Sequence, residues 1–385
     1  MTSNNQMEKR QAKLILEDGS EYSGWSFGKN RCAAGEVAIN TGMNGMVQAL
    51  TDPGSFGQIF VSTYPMAGNC GVPVRKNGSP YFDNYGIPVS LESEKIQVSG
   101  LVVSEFCEDV GHYSSGLTLS SWLKKENIPG ICGIDTRALA VRLRERGSMR
   151  AKILVQGENS VTFDSFLSCG PADVSVKEKK AYSPAASREA PCGSPPKIAI
   201  IDCGVKANVI RCFLDRAADV TRIPFKGDFS QIEYDGLFLS GGPGDPKDCR
   251  QLTEKIRGEL NKNRPIFGVG LGTLIMALAA GADTFKLPSG HRGQNQPCIE
   301  TSGGALTQSR CYVTSQNHGY GIRKGTLPAS WQTWFTNAND GTIEGIRCAE
   351  MPYSGVLFYP EGCPGSRDSE FLFDRFIAQV KDNMK

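Results

Sequence analysis

The sequence predicts an α/β protein in which a strand-rich N-terminal domain precedes a domain with a doubly wound, mostly parallel sheet. Residues 13–156 hold many short apolar runs separated by turn residues, whereas the second half alternates such runs with stretches of helical spacing. Over residues 170–196 the composition shifts to Pro, Ala, Ser and Lys. We therefore predict domains over 11–160 and 197–385, joined by a linker over 170–196 that buries too little apolar surface to order itself.

In the N-terminal domain, helices are predicted near 118–126 and 136–146, and each strand is predicted by an apolar run. The runs are KLIL, GEVAI, QIFVS, IQVSGLVVS, GICGI and AKILV.

In the C-terminal domain, the predicted strands alternate with predicted helices, which is typical of a doubly wound sheet. Ligands of such sheets bind beyond the carboxyl ends of the strands, so the loops after Leu239, Val269 and Phe358 are expected to carry the chemistry. The predicted strands are 197–202, 219–225, 236–240 and 265–269, and the predicted helices are 208–217, 251–260 and 273–280.

Composition argues against several classes of protein. Lys and Arg number 42 and Asp and Glu number 40, so the net charge of +2 gives no long-range reason to expect a nucleic acid partner. No apolar run approaches the roughly 20 residues that a membrane helix needs. The polar segment before Lys13 lacks the apolar stretch of a secretory signal. We expect a cytoplasmic protein without a membrane or nucleic acid partner.

The 13 cysteines include no C-x-x-C pair, and the chain has only three histidines. This pattern does not match a zinc site, so we predict no metal site. Free cysteine packs as a small hydrophobic residue, and we expect buried thiols in a reducing compartment.

One glycine-rich turn has the form of a nucleophile elbow. Gly268, Gly270 and Gly272 follow the strand that ends at Val269, and in the pattern G-x-Nuc-x-G the middle residue attacks the substrate. Here the middle residue is Gly270, which has no side chain and cannot attack. Taken alone, this segment is also compatible with an ordinary glycine-rich turn or a phosphate-binding loop. Its spacing, however, fits neither the dinucleotide-binding motif nor the P-loop motif.

Long sequence blocks identify a family that the chain resembles: the small, glutaminase subunit of carbamoyl-phosphate synthetase, whose second half is a Rossmann-like class I glutamine amidotransferase domain. The blocks include LEDGSEYSGWSFG, GEVAINTGM, LTDPGSFGQI, IPGICGIDTRALAVRLRERGSM, DCGVKANVIRC, LSGGPGDP, GHRGQNQP, TSQNHGY and YPEGCPG. The N-terminal blocks separate this subunit from other amidotransferases, and the resemblance covers nearly the whole chain.

The resemblance implies that two catalytic groups are missing. In the family, the elbow carries a catalytic cysteine. A histidine activates this cysteine, and a glutamate orients the histidine. The cysteine position matches Gly270 and the histidine position matches Tyr359, whereas the glutamate is retained as Glu361. A tyrosine side chain ordinarily titrates near pH 10 and is a poor base at neutral pH. The oxyanion loop is retained as Gly242 and Gly244.

The substrate-binding positions implied by the resemblance are partly changed. Leu271, Asn317, Gly319 and Tyr320 match the family pattern, whereas Gly42 stands where a serine is expected and Leu274 where a glutamine is expected. We interpret the chain as a pseudo-glutaminase. No rescue is expected from Cys203, Cys298 or Cys363, and family position makes His291 and His318 structural or interface residues.

The resemblance also implies a partner. A synthetase large subunit would bind ATP and Mg²⁺ and make carbamoyl phosphate for arginine or pyrimidine synthesis, so no cofactor is expected in this chain. Since Gly270 and Tyr359 cannot release ammonia from glutamine, the complex would use free ammonia, with this chain as a scaffold or allosteric subunit. The alternative is a stand-alone pseudo-amidotransferase that binds another small ligand in the vacated pocket.

Overall fold

The computed structural model describes residues 10–165, 169–184, 194–301 and 310–385. They form two compact units. The first comprises the described residues 10–81 and 89–165, and the second comprises residues 82–88 and the described residues from 169 to 385. Across these ranges no helix combines the length and the apolar character needed to span a membrane.

The first unit is rich in short strands. Its strands are β1 (Gln11–Leu16), β2 (Glu21–Ser26), β3 (Ala33–Asn40), β4 (Ile59–Ser62), β5 (Met66–Ala67), β6 (Gly100–Val102), β7 (Glu105–Phe106), β8 (Gly130–Cys132) and β9 (Arg150–Val155). Its helices are α1 (Met46–Thr51), α2 (Leu119–Lys125) and α3 (Thr136–Arg146). Seven strands close into a barrel in the order β1-β2-β8-β6-β4-β3-β9, and β5 pairs with β7.

Alternating burial explains how the barrel forms. In β1 the side chains of Ala12, Leu14 and Leu16 are buried, whereas those between them point outward. All six predicted apolar runs supply barrel strands, which confirms that part of the prediction. Strand β2 was not predicted because its residues are only partly buried and give no apolar run.

Helices α2 and α3 confirm the two helices predicted in this half of the chain. Each begins at a side chain that accepts a backbone hydrogen bond: Thr118 from the N–H of Ser121, and Asp135 from the N–H of Ala138.

The second unit contains a ten-stranded sheet. Its strands are β10 (Lys180–Tyr182), β11 (Lys197–Asp202), β12 (Asp219–Pro224), β13 (Gly236–Leu239), β14 (Ile266–Val269), β15 (Thr284–Glu300), β16 (Arg310–Ile322), β17 (Trp331–Asn337), β18 (Ile343–Cys348) and β19 (Tyr353–Val356). Its helices are α4 (Pro171–Val174), α5 (Ala207–Leu214), α6 (Arg250–Glu259), α7 (Leu271–Ala280) and α8 (Phe371–Asn383). The strand order is β10-β12-β11-β13-β14-β19-β18-β16-β15-β17.

The centre of this sheet is parallel, from β12 through β11, β13 and β14 to β19, and every residue of β13 and β14 is buried. Phenylalanines from strands and helices fill one side of it, with Phe213, Phe238 and Phe373 in contact. The predicted alternation of strands and helices from β11 to α7 is confirmed. The antiparallel strands β15, β16 and β17 were not predicted. In β15 and β16 the Gly, Pro and Asn residues are typical of turns.

The prediction that residues 170–196 lack ordered structure is wrong for part of that segment. Helix α4 forms there, and β10 pairs antiparallel with β12 at the edge of the sheet. An edge strand gains order from backbone hydrogen bonds and needs little apolar surface of its own. Residues 185–193 of the predicted linker lie outside the described residues.

The cysteine prediction is correct for the thiol state and only partly correct for burial. All twelve cysteines in the described ranges are free. Five of these are buried and two, Cys70 and Cys311, are exposed.

Asp202 connects the edge segment to the sheet. Its carboxylate is fully buried and accepts hydrogen bonds from the N–H groups of Val176, Gly204 and Val205, at 2.7, 3.0 and 2.8 Å. It also pairs with the guanidinium of Arg222 at 2.9 Å. One buried carboxylate therefore holds three chain segments together.

We expect Asp202→Ala to lower the free energy of unfolding of this unit by about 3–5 kcal/mol, because it leaves a largely buried guanidinium without its partner. Chemical denaturation measures this loss, and hydrogen exchange of residues 176–182 should accelerate. Glu233→Ala, which removes the exposed partner of Lys197, is the matched control and should change neither. Unchanged exchange in Asp202→Ala would show that β10 is held independently of this carboxylate.

Candidate functional site

The elbow turn keeps the backbone shape of a nucleophile site without a nucleophile. Gly270 lies between β14 and α7 with φ 53° and ψ −118°. Its N–H donates to the carbonyl of Val356 at 2.8 Å, and its own carbonyl accepts from Thr273 and Leu274 at the start of α7. An L-residue reaches this φ only under strain, whereas glycine adopts it readily.

The space above the turn would accept a side chain. A Cβ placed on Gly270 would meet the Cα of Gly241 at 3.5 Å and the carbonyl oxygen of Leu357 at 3.8 Å, which are ordinary contacts. A cysteine at this position would therefore be disfavoured by backbone strain and not by crowding.

The glycine loop after β13 lies against this turn. A Cβ on Gly242 would overlap the carbonyl oxygen of Cys203, and Gly244 has φ 99°, so both positions require glycine. The oxyanion loop stays a prediction, and the structure places this glycine loop beside the elbow, with the Cα of Gly241 3.5 Å from a Cβ built on Gly270.

Tyr359 fills the position matched to the base. It is 6% exposed, and its N–H donates to the carbonyl of Ser315 at 2.8 Å. The ammonium nitrogen of Lys206 lies 4.2 Å from the centre of its ring, within the range of a cation–π interaction. The ring therefore contacts a buried cation.

Glu361 is engaged by the same lysine. The Nζ atom of Lys206 donates to Oε1 of Glu361 at 2.9 Å and to the carbonyl of Gly362 at 2.7 Å. The two side chains are only 3% and 1% exposed. The retained acid thus forms a buried ion pair, in a place where the family's glutamate orients a histidine.

Sequence reasoning did not single out Lys206. It stands in the block DCGVKANVIRC, directly before α5 and after the carboxyl end of β11. A lysine in a mostly apolar segment at the carboxyl edge of a parallel sheet is a signal that could have identified it.

The two leucines matched to substrate-binding positions are core residues in this structure. Leu271 and Leu274 lie in the first turn of α7, are 4% and 2% exposed, and pack in one apolar cluster with Leu239 and Ile275. Leu274 therefore contributes to packing and offers no polar atom to a ligand.

Strand β16 carries the three remaining matched residues in the second unit. Asn317, Gly319 and Tyr320 are partly buried, and their partners in β15 include Arg292 and Lys286. Alternation along a strand places Asn317 and Gly319 on one face and Tyr320 on the other. The three side-chain positions do not converge on one point.

Gly42 belongs to the first unit. Its N–H donates to Oδ1 of Asn40 at 2.7 Å, and it lines a cavity of about 300 Å³ whose rim includes the exposed side chains of Met43 and Met66.

Cys203 and Cys298 have the wrong acidity for a substitute nucleophile. Burial, the largest effect, raises the pKa of the Cys203 thiol well above its usual value. Burial also raises the pKa of Cys298. A nucleophilic cysteine needs a lowered pKa, because the thiolate is the reacting form.

Comparison with known proteins gives two family matches. Residues 14–153 match the family described as carbamoyl-phosphate synthase small chain, CPSase domain, and residues 199–379 match glutamine amidotransferase class-I. Together the two matches span most of the chain.

Several relatives align with nearly the whole chain. The multifunctional protein pyr-3 of Neurospora crassa is 43% identical over 95% of this chain and 21% of its own length. The multifunctional protein URA2 of Saccharomyces cerevisiae is 40% identical over 97% of this chain and 18% of its own. The human mitochondrial carbamoyl-phosphate synthase [ammonia] is 40% identical over 96% of this chain and 24% of its own. The chain thus spans about a fifth to a quarter of the length of these relatives.

We expect Lys206→Met to lower the free energy of unfolding of the second unit by about 3–5 kcal/mol, because it leaves the buried Glu361 carboxylate without its cation. The double variant Lys206→Met/Glu361→Gln should lose less, since the buried charge is removed as well. Lys247→Met, at an exposed ion pair with Asp283, is the matched control and should change little. Equal losses in the single and double variants, measured by chemical denaturation, would contradict the ion pair as the stabilising interaction.

Proposed function

The chain belongs to the carbamoyl-phosphate synthase small-chain family, and we propose that it supports a synthase as a scaffold or allosteric component that does not hydrolyse glutamine. The observation that carries this proposal is Gly270 at the elbow, where the chemistry needs a nucleophilic side chain. Tyr359 and the Lys206–Glu361 ion pair add support, because they occupy the positions of the base and of its acid partner.

Free ammonia is the nitrogen donor that we propose for this synthase. Glutamine hydrolysis by this family requires a thiolate, a base to deprotonate the thiol and an acid that holds the base in place. In this chain the first group is absent, the second position holds a phenol that contacts a cation, and the third is paired with a lysine. The human, mouse and rat relatives are named as synthases that use ammonia, at 39–40% identity.

The proposed partner is a synthetase large subunit, as a separate chain or as a region of the same polypeptide. In the multifunctional relatives, the matched part is a minor fraction of a longer protein. We propose that this partner binds ATP and Mg²⁺ and carries out carbamoyl phosphate synthesis for arginine or pyrimidine production. We propose a cytoplasmic location, because free thiols are typical of proteins in a reducing compartment.

We expect the chain to release no ammonia from glutamine above background, alone or with its cognate large subunit, because no group can form the thioester. Intact-mass spectrometry after treatment with a glutamine-directed alkylating analogue should show no adduct. The reconstituted synthase should make carbamoyl phosphate from ammonium and not from glutamine. An adduct in the elbow, or glutamine-dependent synthesis, would overturn the proposal, and failure to bind a large subunit would favour a stand-alone ligand-binding role.

Restoring the nucleophile alone should not restore hydrolysis. In Gly270→Cys we expect no turnover and a stability loss of about 1–3 kcal/mol from the strained backbone angle. Gly270→Ala is the matched control for strain, since it adds a Cβ without a thiol.

Adding Tyr359→His to Gly270→Cys should give slow thiol-dependent turnover, because general-base assistance contributes about 10²–10⁴-fold. Ammonia release from labelled glutamine measures each step. Strong hydrolysis by Gly270→Cys alone would show that the rest of the site is intact.

A further inference from the structure

A cluster of two histidines and two carboxylates lies outside the residues used by the proposed function. His291 is on β15, His318 is opposite it on β16, Glu344 is on β18, and Asp340 lies in the turn before β18. The Glu344 side chain is fully buried, and the two imidazole rings are 5.0 Å apart, edge to face.

Three of the four imidazole nitrogens in the cluster hydrogen-bond to an oxygen, and the fourth, Nε2 of His318, lies at ion-pair distance from one. Nδ1 of His291 lies 2.8 Å from Oε1 of Glu344, and its Nε2 lies 2.9 Å from Oδ2 of Asp340. Nε2 of His318 lies 3.2 Å from Oε2 of Glu344, and its Nδ1 lies 2.9 Å from the carbonyl oxygen of Tyr320.

A neutral imidazole has one N–H donor, whereas an imidazolium has two. If His291 were neutral, one of its nitrogen lone pairs would point at a carboxylate oxygen less than 3 Å away. With both carboxylates ionised, the arrangement is favourable only when His291 carries a proton on both nitrogens.

We propose that this cluster is a proton-binding site, in which a protonated His291 clamps β15 to β18 and thereby fixes the neighbouring strand β16. The inference goes beyond the proposed function, because it holds whether or not glutamine is hydrolysed.

Electrostatics agree with the geometry. Burial acts to lower the pKa of His291, but the hydrogen bond and charge of Glu344, together with those of Asp340, outweigh burial and raise the pKa above its usual value. Burial acts to raise the pKa of Glu344, yet the charge of His318 and the hydrogen bond from His291 prevail and lower it to about 2. Within the described residues, the amide of Asn337 on β17 also reaches the cluster: its Nδ2 lies 3.4 Å from Nδ1 of His291 and donates to Oε1 of Glu344 at 3.3 Å.

The distances fit hydrogen bonds better than a shared metal ion. A zinc ion bound to an imidazole nitrogen and a carboxylate oxygen, each at about 2.0–2.2 Å in tetrahedral geometry, would separate those atoms by roughly 3.3 Å. Nδ1 of His291 and Oε1 of Glu344 are 2.8 Å apart, the distance of a charge-assisted hydrogen bond. His291 also directs its two nitrogens at two different carboxylates, as an imidazolium does.

The cluster is connected to the strands that carry the matched binding positions. The carbonyl oxygen of Tyr320 faces Nδ1 of His318, and the backbone carbonyl of Glu344 accepts from the N–H of Leu357, two residues before Tyr359. Loss of the proton from His291 therefore weakens the attachment of β18 to β15 next to the segment that reaches the elbow.

The sign of the pH dependence follows from these pKa directions. A raised pKa for His291 stabilises the folded unit fully below the unfolded pKa near 6.5, and this contribution is lost as the pH rises through the folded pKa. A lowered pKa for Glu344 gives stability above about pH 4.5 that is lost as the pH falls toward 2. The cluster thus contributes most between these limits.

Because the chain has only three histidines, NMR of ring-¹⁵N-labelled histidine can observe the proton directly. His112→Gln, which removes an exposed histidine of the other unit, assigns the signals and serves as the matched control. We expect the titration midpoint of His291 to lie above 6.5 in the unmodified chain and in this control. In Glu344→Gln, the midpoint of its titration should fall by at least about one pH unit, a ten-fold loss in proton affinity.

Asp340→Asn is the second variant, because Asp340 is partly exposed and its replacement is less disruptive to folding. It should lower the midpoint by a smaller amount, and hydrogen exchange of 316–322 should accelerate above that midpoint. A His291 midpoint at or below 6.5 in the unmodified chain, or a midpoint unchanged in both variants, would overturn the proposal. Stoichiometric binding of Zn²⁺ at pH 7.5 that is lost in Glu344→Gln would also overturn it, in favour of a metal site.

Discussion

The buried ion pair between Lys206 and Glu361 is the constraint around which the candidate site is arranged. Both side chains are removed from water, and buried charges are stable only when they are paired and hydrogen-bonded. Lys206, the residue before α5, donates a hydrogen bond to the carbonyl of Gly362 in the loop that follows Tyr359. Its ammonium group also lies over the face of the Tyr359 ring. One interaction therefore stabilises the fold and fixes the positions of Glu361 and of the Tyr359 ring.

The elbow shows that the shape of a catalytic turn can persist without its chemistry. Its backbone is set by contacts that do not involve a nucleophile: the hydrogen bond from Gly270 to Val356 and the close approach of Gly272 to Leu239. Glycine at position 270 removes the strain that a side chain would bring, and Leu274 adds apolar packing to α7. Both residues therefore favour stable packing of the elbow turn and of α7.

Local pattern predicted the regular elements well where burial is strong. Fully buried strands such as β13 and β14 read as apolar runs, and capping residues such as Asp135 mark where helices begin. The predictions failed at β10, where an edge strand is held by backbone hydrogen bonds, and at the β15–β16 ribbon, whose glycines and prolines are typical of turns. In these places, pairing with a neighbouring strand outweighs the intrinsic preference of the residues.

Covalent identity alone establishes that position 270 has no side chain and that position 359 holds a phenol. The roles of the retained polar groups depend instead on which atoms the fold brings together. Glu361 meets a lysine 155 residues away, and His291 meets a carboxylate 53 residues away. These partners come together because strands and loops that are distant in the chain pack against each other. The charge state of a buried group then depends on the oxygen or nitrogen atoms that this packing brings within about 3 Å.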